Sequence, residues 1–452
     1  MQFSKDKAFF KSLFHMLLIV SLQNVVTYSV NMADNLMLGN YSQNALSGAA
    51  TVNQIQFMVQ QLTVGGLTGG LVALASQYWG KKEVSPIRTL TGIALKWGMA
   101  IGLTLLVITT FFPVQLLTIF TNDQGIISAG LEYLHLMRFT YIFYIASTIL
   151  LGALRSVKVV TIAFAVSLVS LLVNVSINYT LIFGHFGAPE LGITGAAIGT
   201  LISRILEFLI VLCYMLFIDK RLALFKEKFW KTNTMLSKDY FAYTKTVSAN
   251  AVIWALATPV QTAILGHLSA DAIAANSVAT TMYQYLKVIV IGESSSTAVS
   301  IGNLLGAGVT TKEKLRPYLN SIQAIFLAIG LFLGAALFFI RIPLLSFYAL
   351  SDSALTLANS LLVMMVFIFI GMAYQMPLGS GVIQGGGDAK FSMRLNFISS
   401  WLIVIPFAFM AAFWWKLPVF WIVFILNSDQ IFKCIPIAIH ANNFKWVRIL
   451  TR

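Results

Sequence analysis

Asp34 stands inside an apolar stretch, at 12–38, and it is the first residue of this chain whose type and place could do chemistry. Asn31 precedes it by three residues and Thr27 by seven, so the three share one face of a helix. A carboxylate in such surroundings must take up a proton or be compensated by a cation, which is what an ion pathway requires. The plainer reading is that Asp34 caps the helix end or meets water outside. A second stripe runs through Ser167, Ser170, Asn174 and Asn178, at spacings of three, four and four. Such residues either hold helices together or line a site. Arg204 and Glu207, three apart, can pair on one face. Asn276, Thr280, Tyr283 and Lys287 follow i, i+4, i+7, i+11 spacing, and Lys287 falls near mid-span, where an unpaired ammonium is costly. It either lines a cavity or pairs with an acid that the sequence does not identify. Asn31, Tyr283 and Lys287 are the expected substrate contacts. Glu132 lies near a span end and reads as solvated, Arg138 is deeper with no evident partner, and Glu293 faces away from the Lys287 stripe.

The elements that must position these groups are membrane helices. The chain of 452 residues is 58% hydrophobic and only 10% charged, with a mean hydropathy of +0.82; soluble domains carry about 25% charged residues. Its apolar runs reach the roughly 20 residues a bilayer demands, and twelve spans are expected, from 12–38 to 417–440. Lipid offers no partner to a free amide, so each must be helical. The chain also repeats itself. Leu38-Gly39 and Ala45-Leu46 return as Leu265-Gly266 and Ala272-Ile273, and Gly152-Ala153-Leu154-Arg155 as Gly381-Val382-Ile383-Gln384, at offsets of 226 to 230. Six spans per repeat bring the chain back to the same side, so the expected fold is all-α, with two parallel six-helix lobes related by a pseudo-two-fold axis along the membrane normal. The lobes are expected at 1–218 and 243–452, joined by a linker at 219–242 that holds Lys220, Arg221, Lys226, Lys228, Lys231 and Lys238 against Asp219, Glu227 and Asp239.

The net charge of +14 is a topology signal. Of 30 Lys and Arg, 24 lie in the N-terminus, the even-to-odd loops and the C-terminus, and only Arg341 and Lys416 lie on the other side. By the positive-inside rule both termini are cytoplasmic in a multi-pass cell-membrane protein, and no nucleic-acid partner is expected. The start mimics a signal peptide, but the run is too long and holds Asn31 and Asp34, so it is read as a retained span. Cys213 and Cys434 read as buried small hydrophobes and not as a disulfide. No GxxxxGK[ST] phosphate loop is present, Ala75 standing where Gly80-Lys81 would need a glycine. No nucleophile–base pair or Cys/His metal cluster offers itself, so an enzyme and a cofactor are not expected. Energy must come from an ion gradient or a partner.

Several segments resemble the multidrug and toxic compound extrusion (MATE) transporters of bacterial type. They are Asp34-Asn35-Leu36-Met37-Leu38-Gly39, Ala73 to Lys81, Gly152-Ala153-Leu154-Arg155, the run from Asn178 through Gly184, Pro189, Gly192 and Gly195 to Thr200, and Gly381 to Lys390. The resemblance covers essentially the whole chain. It implies a monomer in the bilayer that exports small organic compounds against H+ or Na+ entry, by alternating access. It also implies a coupling-ion site at Asp34, Asn174, Asn178 and Thr200. Some relatives carry a second acid at the place of Asn178, a span-1 proline around Ile19, or acids in spans 7 and 10; this chain has none of these. A flippase of the same superfamily, moving lipid-linked saccharides, is the alternative. It would want several cavity arginines where only Arg138 and Arg204 are available.

Overall fold

The computed structural model describes residues 2–226, 229, 233–267, 270–346, 348 and 351–452; Glu227, Lys228 and Lys231 of the linker lie outside them. Among the described residues twelve helices are long and apolar enough to cross a membrane: α1 (Lys7–Tyr41), α2 (Gln43–Gly80), α3 (Val84–Phe111), α4 (Gln124–Ser156), α5 (Thr161–Phe183), α6 (Gly192–Ile218), α7 (Thr234–Gly266), α8 (Asp271–Gly306), α9 (Lys312–Leu345), α10 (Asp352–Gln384), α11 (Ala389–Trp414) and α12 (Val419–Asn442). Their ends are built from ordinary local signals. Asp123 caps α4 by accepting from the amides of Gly125 and Ile126, and Gly184 ends α5 at a φ of 69°. Without a proline near Ile19, α1 runs unbroken. In α10 the backbone widens to π geometry over Pro377–Gln384, starting at the proline, which has no amide to donate.

The chain forms two compact units, one of Leu22–Ser248 and one of Met1–Ser21 with Ala249–Arg452. In the first, α4 packs against α2, α3 and α6, and α5 lies on α6; in the second, α10 packs against α8, α9 and α12, and α11 meets α12. The second list repeats the first six helices later. The repeat holds down to atoms. A Cβ on Gly152 of α4 would meet the Thr68 side chain of α2 at 2.2 Å, and one on Gly381 of α10 would meet Thr297 of α8 at 2.9 Å. Glycine at both places lets helices approach where lipid supplies no hydrophobic push.

The divide between units falls inside α1 and α7, and not in the linker at 219–242. Local bonding explains this. The start of α1 joins the second unit, with Tyr318 donating to Asp6 at 2.9 Å and the Ser4 amide donating to Ser321 at 3.0 Å. The start of α7 joins the first, where the Tyr240 hydroxyl donates to the Leu67 carbonyl at 2.9 Å. Both cysteines are free, and Cys213 is exposed, contrary to the burial expected of it, because it ends up on the outer side of α6. Trp414, Trp415 and Trp421 are exposed, as an interfacial belt requires.

Candidate functional site

In the first unit three helices bring one carboxylate and three neutral polar groups together. The face of α5 that carries Ser167, Ser170, Asn174 and Asn178 is buried, and the two asparagines are sealed completely. The Asn178 amide donates to Asp34 Oδ1 of α1 at 2.6 Å and to Asn174 Oδ1 at 3.3 Å, and the Asn174 amide donates to Thr200 Oγ1 of α6 at 3.3 Å. Asp34 is buried, so its charge relies on these partners. Gly195 and Gly199 of α6 make the approach possible: a Cβ on Gly199 would stand 2.0 Å from Asn178 Oδ1. That oxygen is buried without a donor, a rare state for an amide in a folded chain. Asn31 stays exposed on α1, and Thr27 uses its hydroxyl on the carbonyl of Gln23. The polar face of span 1 therefore does not enter the cluster as a whole; Asp34 does.

Two groups join the cluster that the sequence reading did not place there. Tyr133 of α4, fully buried, has its phenol beside Asp34 and Thr200. Arg204, one turn beyond Thr200, lies within electrostatic reach of Asp34. Its guanidinium donates to Glu207 at 2.6 Å and lies over the Tyr144 ring at 5.2 Å, so the expected pair is present. The i, i+4, i+7 spacing of Thr200, Arg204 and Glu207 was the available signal for one shared face. Arg138 finds Thr110 at 3.4 Å and His135 at 3.2 Å.

A second polar network lies wholly in the second unit. Asp429 and Lys433 of α12 form an ion pair of 2.8 Å, both buried. Lys433, which the charge count placed with the C-terminal tail, is an intramembrane residue. Gln430 donates to both Asp429 oxygens at 3.0 Å and accepts from Gln375 of α10 at 2.7 Å. Lys433 also donates to Asn396 of α11 at 3.3 Å; Asn396 donates to Asn250 of α7 at 2.9 Å, and Asn250 to Gln384 at 3.2 Å. The Lys287 ammonium sits 4.7 Å over the Trp254 ring of α7, with Asp429 as the acid in electrostatic reach. Tyr283, buried, donates to the Met372 sulfur at 2.9 Å and also faces Asp429. The acid near Lys287 is thus in span 12. Among the described residues no group of three or more His, Cys, Asp and Glu is placed to hold a metal ion.

A family model described as MatE matches residues 20–180 and 249–410. A probable multidrug resistance protein NorM of Thermotoga maritima is 25% identical over 438 residues, 95% of this chain and 92% of that protein. Two solved structures superpose closely. A MOP superfamily transporter from Pyrococcus furiosus has a TM-score of 0.85 at 16% identity, covering 98% of each chain. The Vibrio cholerae MATE transporter VcmN, as a point mutant, has a TM-score of 0.86 at 16% identity, again over 98% of each. At these identities the structural likeness speaks to fold.

Proposed function

The chain belongs to the MatE family, and from that premise we propose that it is a secondary antiporter that exports small organic compounds across the cell membrane. A proton or sodium enters in exchange, and the two units expose the binding sites to each face in turn. The transport class rests on the family, whose members are membrane transporters and not enzymes. The relatives named as multidrug resistance proteins support export.

The observation that carries the coupling is the Asp34 cluster. It is a buried carboxylate that accepts from Asn178, which is linked in turn to Asn174 and through it to Thr200, with Tyr133 beside them. A proton neutralises Asp34 directly. Sodium, a hard cation, would take the carboxylate with amide and hydroxyl oxygens as ligands. Asn31, Tyr283 and Lys287 are the proposed substrate contacts. The flippase alternative loses its arginines: Arg204 is tied to Glu207, and Arg138 is engaged by Thr110 and His135. We expect a monomer with both termini cytoplasmic and no cofactor beyond the coupling ion.

The test is transport into inverted vesicles with sodium and pH gradients imposed separately, over a panel of cationic, neutral and anionic compounds. Uphill uptake that follows one of the two gradients is the expected result. Uptake of nothing in the panel under either gradient would remove the antiport reading.

A further inference from the structure

The second unit holds three charges close together within its membrane spans, and they do not balance. Asp429 is spoken for. Lys433 pairs with it at 2.8 Å, and Gln430 donates to both of its oxygens. Lys287 is left over. Among the described residues no carboxylate makes an ion pair with it. Its ammonium is held over the Trp254 ring, and unlike Asp429 and Lys433 it is only partly buried. Glu293 does not correct the balance, since six residues further along α8 it points to another face. The group therefore carries one net positive charge in a medium where uncompensated charge is costly and marks function.

The α12 backbone keeps helical dihedrals through Ser428 and Lys433, on either side of Asp429, and Pro436 removes one amide from the following turn. The ammonium over Trp254, whose ring is exposed, offers one point of charge beside one flat apolar surface.

Resting on the antiport reading above, we infer that Lys287 receives an acidic group of the cargo, so that the compounds exported include small aromatic organic anions. The carboxylate of such a molecule completes the balance that Asp429 and Lys433 leave open. Its ring lies against Trp254. Asp429 has the opposite duty: by holding Lys433 it keeps the site from becoming so positive that the anion is never released.

The experiment uses the full chain in inverted vesicles and two labelled sets of probes: aromatic carboxylates headed by salicylate, and the cation tetraphenylphosphonium. Wild type, Lys287→Arg and Lys287→Met are compared, each checked for folding by size exclusion in detergent. A charge-assisted hydrogen bond lost on binding corresponds to about a ten- to hundred-fold loss of affinity. Carboxylate transport relative to tetraphenylphosphonium is expected to fall by about that factor in Lys287→Met and to be largely kept in Lys287→Arg. An unchanged ratio in Lys287→Met would overturn the inference, as would gradient-driven export of the cation with none of the carboxylates, which leaves antiport standing. Export of neither set under any gradient removes the antiport reading and the inference with it.

Discussion

Replacing Asp34 by asparagine separates coupling from folding. Asparagine keeps an oxygen where Asp34 Oδ1 accepts from the Asn178 amide at 2.6 Å. That bond becomes one between neutral groups, falling from about 1.5–3 kcal/mol to about 1 kcal/mol. Against this, the variant no longer buries a charge that needs compensation. Arg204 loses a neighbour at long range but keeps Glu207 at 2.6 Å. The two effects oppose, and the net change in stability is expected within about 1–2 kcal/mol, so the protein should insert and fold. Coupling is another matter. Among the described residues no other carboxylate hydrogen-bonds to Asp34, Asn174, Asn178 or Thr200, and an amide neither exchanges a proton nor attracts sodium as a carboxylate does. One charge moved across 100 mV is worth about 2.3 kcal/mol, which for a neutral substrate exchanged for one cation sustains an accumulation of about fifty-fold. Asp34→Asn should bring this to about one. The assay is steady-state accumulation in inverted vesicles under an imposed potential, beside substrate exchange with no gradient, which should survive. If Asp34→Asn still accumulates substrate about fifty-fold, coupling does not pass through this residue and Glu207 becomes the carboxylate to examine.

Gly199→Ala places a methyl 2.0 Å from Asn178 Oδ1, so Asn178 must swing off Asp34 or α6 must retreat; a loss of about 1–3 kcal/mol in thermal stability is expected, together with loss of coupled transport. A double variant with Asn178→Ala should recover the stability but not the transport. Lys433→Met leaves Asp429 buried without its cation and should cost about 3–5 kcal/mol, whereas Lys433→Met with Asp429→Leu should be much milder; equal melting temperatures for the single and double variants would contradict the pairing. A fluorescent reporter that matures only in the cytoplasm, fused after Arg452, should light up, and darkness with full expression would reverse the proposed topology.

Periodicity exposes what is local. The α5 stripe was legible because Ser167, Ser170, Asn174 and Asn178 recur at the helical repeat in an otherwise apolar span. Asp34 stood out because acids are rare there. Thr200 is one of two threonines in its span, and only the family resemblance singled it out. Tyr133 carried no signal, since a tyrosine in a span that also holds Tyr141 and Tyr144 has the look of core; only the packing of α4 brings its phenol to Asp34. Asp429 and Lys433, four apart in span 12, were legible in principle. Counting charge by side of the membrane absorbed Lys433 into the basic tail and hid the pair. The two halves were legible in the repeat, but the place of the divide, inside α1 and α7, was not. It depends on bonds such as Tyr240 to Leu67, between residues far apart in sequence, whereas the linker at 219–242 advertises itself by composition.

Comparing the two halves position by position separates inherited architecture from chemistry. Asp429 and Lys433 of α12 stand 229 positions after Thr200 and Arg204 of α6, inside the offset of the repeat. A basic residue one turn beyond a polar one is thus common to both halves. What differs is the acid that answers it. In the first unit Arg204 is paired forward, by Glu207, which leaves the carboxylate of Asp34 among amides and a hydroxyl. In the second unit Lys433 is paired backward, by Asp429, and the positions that correspond to Asp34, residues 260–264, contain no acid. Lys287 is the charge left over. The first unit therefore keeps a carboxylate with no cation of its own in direct contact; the second keeps, among the described residues, an ammonium with no carboxylate in ion-pair contact, and on another face of α8 the buried Glu293 with neither oxygen hydrogen-bonded. A site of the first kind is complete when a cation arrives, and a site of the second when an anion does. On the proposals above, that asymmetry assigns the coupling ion to one unit and the acidic end of the cargo to the other. It also makes an asymmetric claim about the variants: Asp34→Asn should stop uphill movement of every substrate alike, while Lys287→Met should change which substrates move and leave their dependence on the gradient intact.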